Sequence, residues 1–217
     1  MKTHLMAAIG FAVVLGVAGA ASAQHEGHNH ADHAGKPHPK AADKAKDAAP
    51  AFSEEDMAKW MKTMSPGKAH KALEFFAGDW TFVNKSFMSG TETDEEGTTH
   101  AAMMMGGRYL HSSHKSQSMG MPFEGAGITG YDNMAGEYFN LWLDNFGTGV
   151  IVSRGSADEK GNITTKGTMP DPMSGDMIGF RMVTMVTGPN SYTFEMYMDS
   201  PEGEQRVMEI KYARVTG

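Results

Sequence analysis

Residues 106–149 read GGRYLHSSHKSQSMGMPFEGAGITGYDNMAGEYFNLWLDNFGTG, and this stretch decides the fold. Its apolar and polar residues alternate with period two, which predicts three short strands. Turns rich in Gly, Pro and Asn separate the strands, and such short connections favour antiparallel hairpins. Aromatic, polar and glycine residues are densest here, so the stretch is also the best candidate for a pocket wall.

The same alternation continues from residue 79 to the end of the chain and predicts ten strands. They are expected at residues 79–88, 97–105, 107–118, 123–131, 136–145, 148–157, 161–168, 177–187, 191–199 and 205–215. A meander of that many strands removes its exposed edges most simply by closing into an up-and-down barrel. The predicted fold is therefore mainly β, an antiparallel barrel of 8–10 strands. Its interior is either filled by side chains or able to hold one small ligand.

Two short helices are predicted before the barrel. Ser53 and Asp56 form a capping-box-like start for the first, which ends near Thr63. Ser65 and Pro66 are expected to begin the second, which ends at Gly78. Each helix carries an apolar stripe and has only about three turns, too few to be stable alone. Both stripes are therefore expected to pack on something larger, with the helices closing one end of the barrel.

The first 23 residues match an export signal. Lys2 supplies a basic start, an apolar run spans residues 5–20, and Ala21, Ser22 and Ala23 form a small-x-small cleavage site. The mature chain is predicted to begin at residue 24 in the periplasm or outside the cell, and an uncleaved anchor is the alternative. After cleavage no membrane span is expected, because no later stretch approaches the roughly 18 apolar residues that a span needs.

Charge and cysteine content narrow the possible partners. Removing the signal takes away one of 19 basic residues and none of the 26 acidic ones, which leaves 18 against 26 and a net charge of −8. That balance argues against a nucleic-acid partner, whose phosphates require a basic surface. The chain has no cysteine, so the core rather than disulfides must hold an exported domain together.

Residues 24–51 contain almost no large apolar side chain and are predicted to be a disordered leader. Five histidines within it are candidate ligands for Cu or Zn: His25, His28, His30, His33 and His38. The alternative is a spacer whose histidines only titrate. The predicted organisation is thus a signal at 1–23, a His-rich leader at 24–51 and one β-barrel domain at 52–217.

Several phrases are similar to the bacterial family named domain of unknown function 1579, over about residues 66–214. They are PGKAHKALEFFAGDW, MGGRYLHS, GMPFEGAGITGYDN, YFNLWLDNFGTG, GTMPDPMSG, FEMYM and VMEIKYAR. This resemblance implies a compact β-rich domain, often secreted, without an established activity or assigned catalytic residues. The run Gly78, Asp79, Trp80 also resembles the Gly-x-Trp start of calycin and lipocalin barrels. That likeness implies that Trp80 plugs one barrel end and that Arg214 packs across it.

The strand at 136–145 has two unlike faces. One face is mixed, and it is the candidate ligand-binding wall: Tyr138, Asn140, Trp142 and Asp144. The other face is mostly apolar and is expected to pack as core or beneath the helices: Phe139, Leu141, Leu143 and Asn145. Strict alternation leaves one alternative open, in which the mixed face points outward.

Further candidates for the interior come from the neighbouring strands. Tyr109 and His111 share a face and could line a pocket, whereas His114, three residues on, points the other way; a solvent-facing His pair is the favoured interpretation. Arg108 and Arg181 are expected to pair with acids such as Asp144 or Glu195, or to receive an anionic ligand.

Methionine is unusually frequent, with 20 in the chain and 18 after the signal. Core filling by an adaptable side chain is the favoured explanation, and Cu(I) ligation is the alternative. No nucleophile-elbow, zinc-protease or phosphate-loop motif is present, so enzymatic activity is not favoured. The preferred function is binding of a small, partly apolar molecule. Periplasmic metal handling, an enzyme with a polar lumen and a structural envelope protein are the alternatives.

Overall fold

The computed structural model describes residues 53–87, 93–171 and 174–216. Ten strands form a closed antiparallel barrel in which each strand pairs with its neighbours in sequence and β1 pairs with β10. The strands are β1 (Gly78–Ser86), β2 (Thr93–Met104), β3 (Tyr109–Ser118), β4 (Met121–Asp132), β5 (Glu137–Asp144), β6 (Ile151–Ala157), β7 (Ile163–Pro170), β8 (Met177–Gly188), β9 (Ser191–Met198) and β10 (Gln205–Arg214). The up-and-down barrel predicted from the period-two pattern is confirmed.

Helix α1 (Glu54–Met64) begins where the capping signal predicts. The Ser53 Oγ accepts a hydrogen bond of 3.0 Å from the backbone N–H of Asp56, which satisfies one free donor of the first turn. The helix belongs largely to a structural unit separate from the barrel unit, with the boundary between Lys62 and Thr63. Its Trp60 side chain is 52% exposed. Within the described residues, no helix has the length and apolar character needed to cross a membrane.

Helix α2 (Lys68–Leu73) continues as a 3-10 turn (Glu74–Phe76) and lies at one end of the barrel. Its N-cap is Gly67 rather than the predicted Ser65, and the backbone N–H of Gly67 donates to the Nδ1 of His70 at 3.0 Å. The helix therefore starts two residues later than its Ser-Pro signal indicates. Leu73 is completely buried, so this second apolar stripe does pack against the barrel.

Trp80 and Arg214 plug the end of the barrel that α2 covers. Trp80 is fully buried, its indole N–H donates to the carbonyl of Phe76 at 2.9 Å, and the Arg214 guanidinium lies 4.0 Å from its ring centroid. Arg214 also donates to the carbonyls of Ala77 and Phe75. Gly78 connects the turn to β1 with φ of +118°, and an added Cβ there would lie 2.8 Å from Arg214. The contact implied by the calycin-like opening is therefore present.

Two clusters of buried residues fill parts of the interior. The first, at the helix end, joins Leu73, Phe76 and Trp80 to tyrosines of β5, β9 and β10. The second lies on β7, β8 and β9 and consists of Met169, Phe180, Met182, Met196 and Met198. Four of these five side chains are thioethers, so core filling accounts for these methionines.

Candidate functional site

The mixed face of β5 points into the barrel. Tyr138 is only 5% exposed, and the amide of Asn140 donates to the Thr129 hydroxyl of β4 at 3.0 Å. The Trp142 indole N–H donates to Asp144 at 2.8 Å. Because residues two apart on a strand share a face, the four predicted side chains form one inner row along β5.

The apolar face of β5 points outward, contrary to the expectation that it packs as core or beneath the helices. Leu143 is 46% exposed, and the Phe139 ring contacts Tyr109 and the guanidinium of Arg154 on the outside. Every strand of an up-and-down barrel has one face toward solvent. Here the polar side chains occupy the inner face with hydrogen-bond partners there: Asn140 donates to Thr129 on β4, and Trp142 donates to Asp144 on β5 itself.

His114 of β3 is the centre of the polar part of the interior. Its Nδ1 lies 2.8 Å from the hydroxyl oxygen of Thr99 and its Nε2 lies 3.1 Å from that of Ser112. Thr99 is buried on β2, directly opposite His114 in the register of the two strands. Both imidazole nitrogens are thus held by hydroxyl groups, which fixes the ring in one orientation.

Aromatic rings surround the same imidazole. The ring centroids of Trp142, Phe82 and Tyr212 lie 5.0, 6.2 and 6.3 Å from that of His114. Burial lowers the pKa of His114 from 6.5 to about 4, because a charged imidazolium would lose its hydration there. The side chain is therefore neutral at pH 7. The expectation that His111 and His114 both face solvent is wrong for His114, which faces inward.

Glycines on β4 make room for the Trp142 ring. A Cβ on Gly125 would lie 2.4 Å from the indole, and one on Gly127 would lie 2.8 Å from the Ser112 hydroxyl. Such distances are too short for any larger residue without repacking. The indole therefore lies flat across β4, next to the imidazole and nearly parallel to Phe123.

Polar groups continue along the inner face toward the end away from α2. Asn84 of β1 donates to the carboxylate of Glu95 on β2 at 3.3 Å, and Glu95 also accepts from the backbone N–H of Met119. The Asn84 Oδ1 is buried and has no hydrogen-bond partner among the described residues. Asp144 lies at the same end of β5, where it accepts from Trp142 and from the backbone of Phe146.

The opposite wall of the interior is apolar. On β8, β9 and β10 the inward positions carry methionines and aromatic or branched side chains, and Phe194 packs against both buried clusters. The interior therefore has one wall rich in hydroxyl, amide and carboxylate groups, on β1–β5, and one rich in thioethers and rings.

Four other predicted site residues do not lie in this interior. His111 is exposed and Tyr109 packs on the outside against Phe139, because both alternate with the inward-facing Leu110 and Ser112. Arg108 is in a turn at the helix end, where it donates to the carbonyls of Met105 and Met64.

Arg181 of β8 also lies on the outer face. Its guanidinium donates to both carboxylate oxygens of Glu204 and lies 3.9 Å from the Tyr197 ring centroid. Pairing within the protein is thus its role, although the partner is neither Asp144 nor Glu195. Neither Arg181 nor Arg108 reaches a ligand in the interior.

The predicted Cu or Zn ligands belong to the His-rich leader at 24–51. The five leader histidines precede residue 53 and lie outside the described residues. In the described ranges, no group of three or more His, Asp and Glu side chains is arranged to hold a metal ion.

An open groove of about 510 Å³ runs along the outer surface over β1, β2 and β10. Thr81, Val83 and Lys211 line it, with Phe82 and Gly97 at its base. Thr81 and Val83 alternate with the inward-facing Trp80 and Phe82, so the groove is separate from the interior.

The sequence matches one protein family, and the fold resembles several solved structures. A model of the family described as "Protein of unknown function (DUF1579)" matches residues 65–214. No curated protein gives a significant sequence match. The crystal structure of Rv2717c from M. tuberculosis is 12% identical, with a TM-score of 0.52, and the alignment covers 70% of this chain and 100% of that one.

Two engineered barrels also align. A de novo designed fluorescence-activating β-barrel is 18% identical over 66% of this chain and 97% of its own, with a TM-score of 0.39. A redesigned β-barrel is 12% identical over 67% and 96%, with a TM-score of 0.37. At these identities the likeness to Rv2717c shows a common fold alone, and the lower TM-scores of the engineered barrels add nothing to it.

Proposed function

The chain belongs to the DUF1579 family, and we propose that its barrel binds a small, partly apolar molecule in the interior, between the polar wall of β1–β5 and the methionine-rich wall of β7–β10. The observation that supports this most directly is the partly buried, neutral His114. It is held by two hydroxyls and surrounded by three aromatic rings. Rings supply contact area to a ligand and a few fixed polar groups orient it.

Accessibility of the inner face supports the same proposal. Side chains at the helix end are closed off, since Trp80 and Leu73 are fully buried. Farther along the barrel the inward-facing Ser112, Ser116 and Trp142 are only partly buried. An interior filled entirely by Met, Phe and Leu would leave no such side chains accessible, so the proposed entrance is the end away from α2.

The chemistry of His114 favours binding over acid–base catalysis. Ser112 and His114 are within hydrogen-bond distance, as in a nucleophile and its base. However, the third partner is the Thr99 hydroxyl rather than a carboxylate, and the pKa of about 4 makes the imidazole a weak base. With both nitrogens engaged, the neutral imidazole is suited to orienting the hydroxyls of Thr99 and Ser112, which retain the capacity to hydrogen-bond a ligand.

Titration with the neutral probe N-phenyl-1-naphthylamine tests the proposal, because its fluorescence rises in an apolar site. The probe should bind the full chain, and Ser116→Phe should weaken binding at least about tenfold by filling the interior. Gln117→Phe is the matched control: Gln117 is the next residue on β3 and is exposed on the outer face, so its affinity should match that of the unaltered chain.

Circular dichroism establishes that both variants are folded before affinities are compared. If Ser116→Phe does not fold, native mass spectrometry of the unaltered chain with the probe replaces it and should show a one-to-one complex. Absence of probe binding, or equal weakening by the two phenylalanine variants, would reject the interior as the binding site.

A further inference from the structure

We infer that the ligand enters the barrel with a hydrogen-bond-donating head group, an alcohol or an amine, and that the site discriminates against carboxylates. This inference rests on the proposed function and specifies the class of ligand. It follows from which polar atoms of the interior still lack partners and from the sign of the charges that face inward.

Asn84 provides the first observation. Its amide nitrogen donates to Glu95, while its Oδ1 is buried and has no hydrogen-bond partner within residues 53–87, 93–171 and 174–216. A buried carbonyl oxygen left unpaired is destabilising, so such an atom marks a place where a donor from a ligand belongs. An acceptor at this position selects a donor on the ligand.

Two inward-facing carboxylates also favour a hydrogen-bond donor on the ligand. Glu95 contacts Asn84 and lies in phase along β2 with the buried Thr99 and Ala101, so it faces inward. Asp144 occupies the corresponding inner position on β5 and is held by the Trp142 indole N–H. Two carboxylates on the inner wall stabilise an ammonium or hydroxyl group and repel an anion.

Basic side chains of the described strands point away from the interior. Lys115 and Lys211 are about 70% exposed in ion pairs on the outer face, and Arg181 pairs there with Glu204. Arg214 is the exception among the described residues, and it is engaged at the plugged end over Trp80. The internal segments that the structure does not describe, 88–92 and 172–173, contain no Lys or Arg.

Competition among three probes of equal chain length tests the head-group preference. Decylamine, 1-decanol and decanoate are titrated at pH 7.5 and physiological ionic strength against the full chain loaded with N-phenyl-1-naphthylamine. Decylamine and 1-decanol should displace the probe at concentrations at least about tenfold lower than decanoate.

Two variants with the same change in net charge, Glu95→Gln and Glu96→Gln, distinguish a contact with the ligand from the effect of overall charge. Glu95→Gln should lower the affinity for decylamine about tenfold, whereas Glu96→Gln, on the outer face of the same strand, should change it less than about twofold. Asn84→Ala should lower the affinity for 1-decanol and leave that for decanoate unchanged.

The outcomes distinguish the two proposals. Decanoate binding as tightly as decylamine, or equal effects of Glu95→Gln and Glu96→Gln, would overturn the head-group inference while leaving a binding barrel in place. Failure of N-phenyl-1-naphthylamine to bind at all would overturn both. Because the three probes are compared on the unaltered chain, the test stands even if a variant does not fold.

Discussion

His114 lies in an environment unlike that of a free side chain in water. Two hydroxyls hold its nitrogens and three aromatic rings surround it, and this partial burial lowers its pKa to about 4. In the unfolded chain a histidine titrates near 6.5. Between about pH 6.5 and pH 4 the unfolded chain is therefore protonated at His114, whereas the folded barrel is not.

This difference predicts a pH-dependent stability with a defined sign. The His114 contribution should be complete above about pH 6.5 and should be lost as the pH falls to about 4, by roughly 3 kcal/mol in the free energy of unfolding. Urea unfolding between pH 4 and pH 8 measures it. His114→Gln keeps a donor and an acceptor but does not titrate. The difference between its stability–pH profile and that of the unaltered chain is therefore the contribution of the imidazole.

His111→Gln is the control, since His111 lies on the same strand but is exposed on the outer face. Its profile should follow that of the unaltered chain. Identical profiles for His114→Gln and the unaltered chain would show that the folded barrel accepts the proton without cost.

The sequence predicts that His111 and His114 lie on opposite faces of β3, but the favoured interpretation placed both in solvent. The opposite orientations of His111 and His114 follow from their spacing. The missing information was which of the two faces is the inside, because Ser112 and Ser116, the neighbours of His114 on its face, are as polar as an outer surface. Only pairing with Thr99 across β2 resolves this, and register between strands is not encoded in a single strand.

At the scale of elements, Arg214 couples the last strand to the turn that follows α2. Its guanidinium stacks on Trp80 and donates to the carbonyls of Phe75 and Ala77, which end the 3-10 turn. Arg214→Ala should therefore destabilise the barrel by about 2–4 kcal/mol, measured by urea unfolding. Arg214→Lys keeps the charge but cannot donate to both carbonyls in the same planar geometry. Its free energy of unfolding should therefore lie between those of the unaltered chain and Arg214→Ala.

Lys211→Ala on the same strand serves as the control, because Lys211 is exposed and its ion pair with Glu209 should contribute about 1 kcal/mol or less. An Arg214→Ala variant as stable as Lys211→Ala would mean that the plug forms without the guanidinium.

Elements with a strong local signal were predicted well. All ten strands, the Ser53 cap of α1 and the Trp80 and Arg214 contact follow from alternation, turn residues and the Gly-x-Trp opening. The start of α2 was misplaced, since Ser65 and Pro66 carry a sequence signal for a helix start but the capping contact runs from Gly67 to His70. Local propensity fixes an element's type better than its ends.

At the scale of the whole molecule, an apolar cluster fills the helix end of the barrel, and beyond it the two sides of the interior differ. β1–β5 contribute Asn84, Glu95, His114 and Asn140, while β8 and β9 contribute methionines and Phe180. Pattern within each strand predicts two faces but not how inner faces combine around a closed sheet, which is why four of the eight predicted ligand-binding residues lie outside the interior.

The His-rich leader at 24–51 carries a testable prediction of its own. Five imidazoles within 14 residues should bind Cu(II) without a preformed site. Isothermal titration of the chain from Gln24 with Cu(II) should show this binding, and replacement of His25, His28, His30, His33 and His38 by Asn should weaken it at least about tenfold. Replacing the exposed His100 and His111 instead should leave the affinity unchanged, because neither belongs to a group of metal-ligating side chains within the described residues. Copper affinity that survives loss of the five leader histidines would refute metal binding by the leader and direct attention to the thioethers of the barrel.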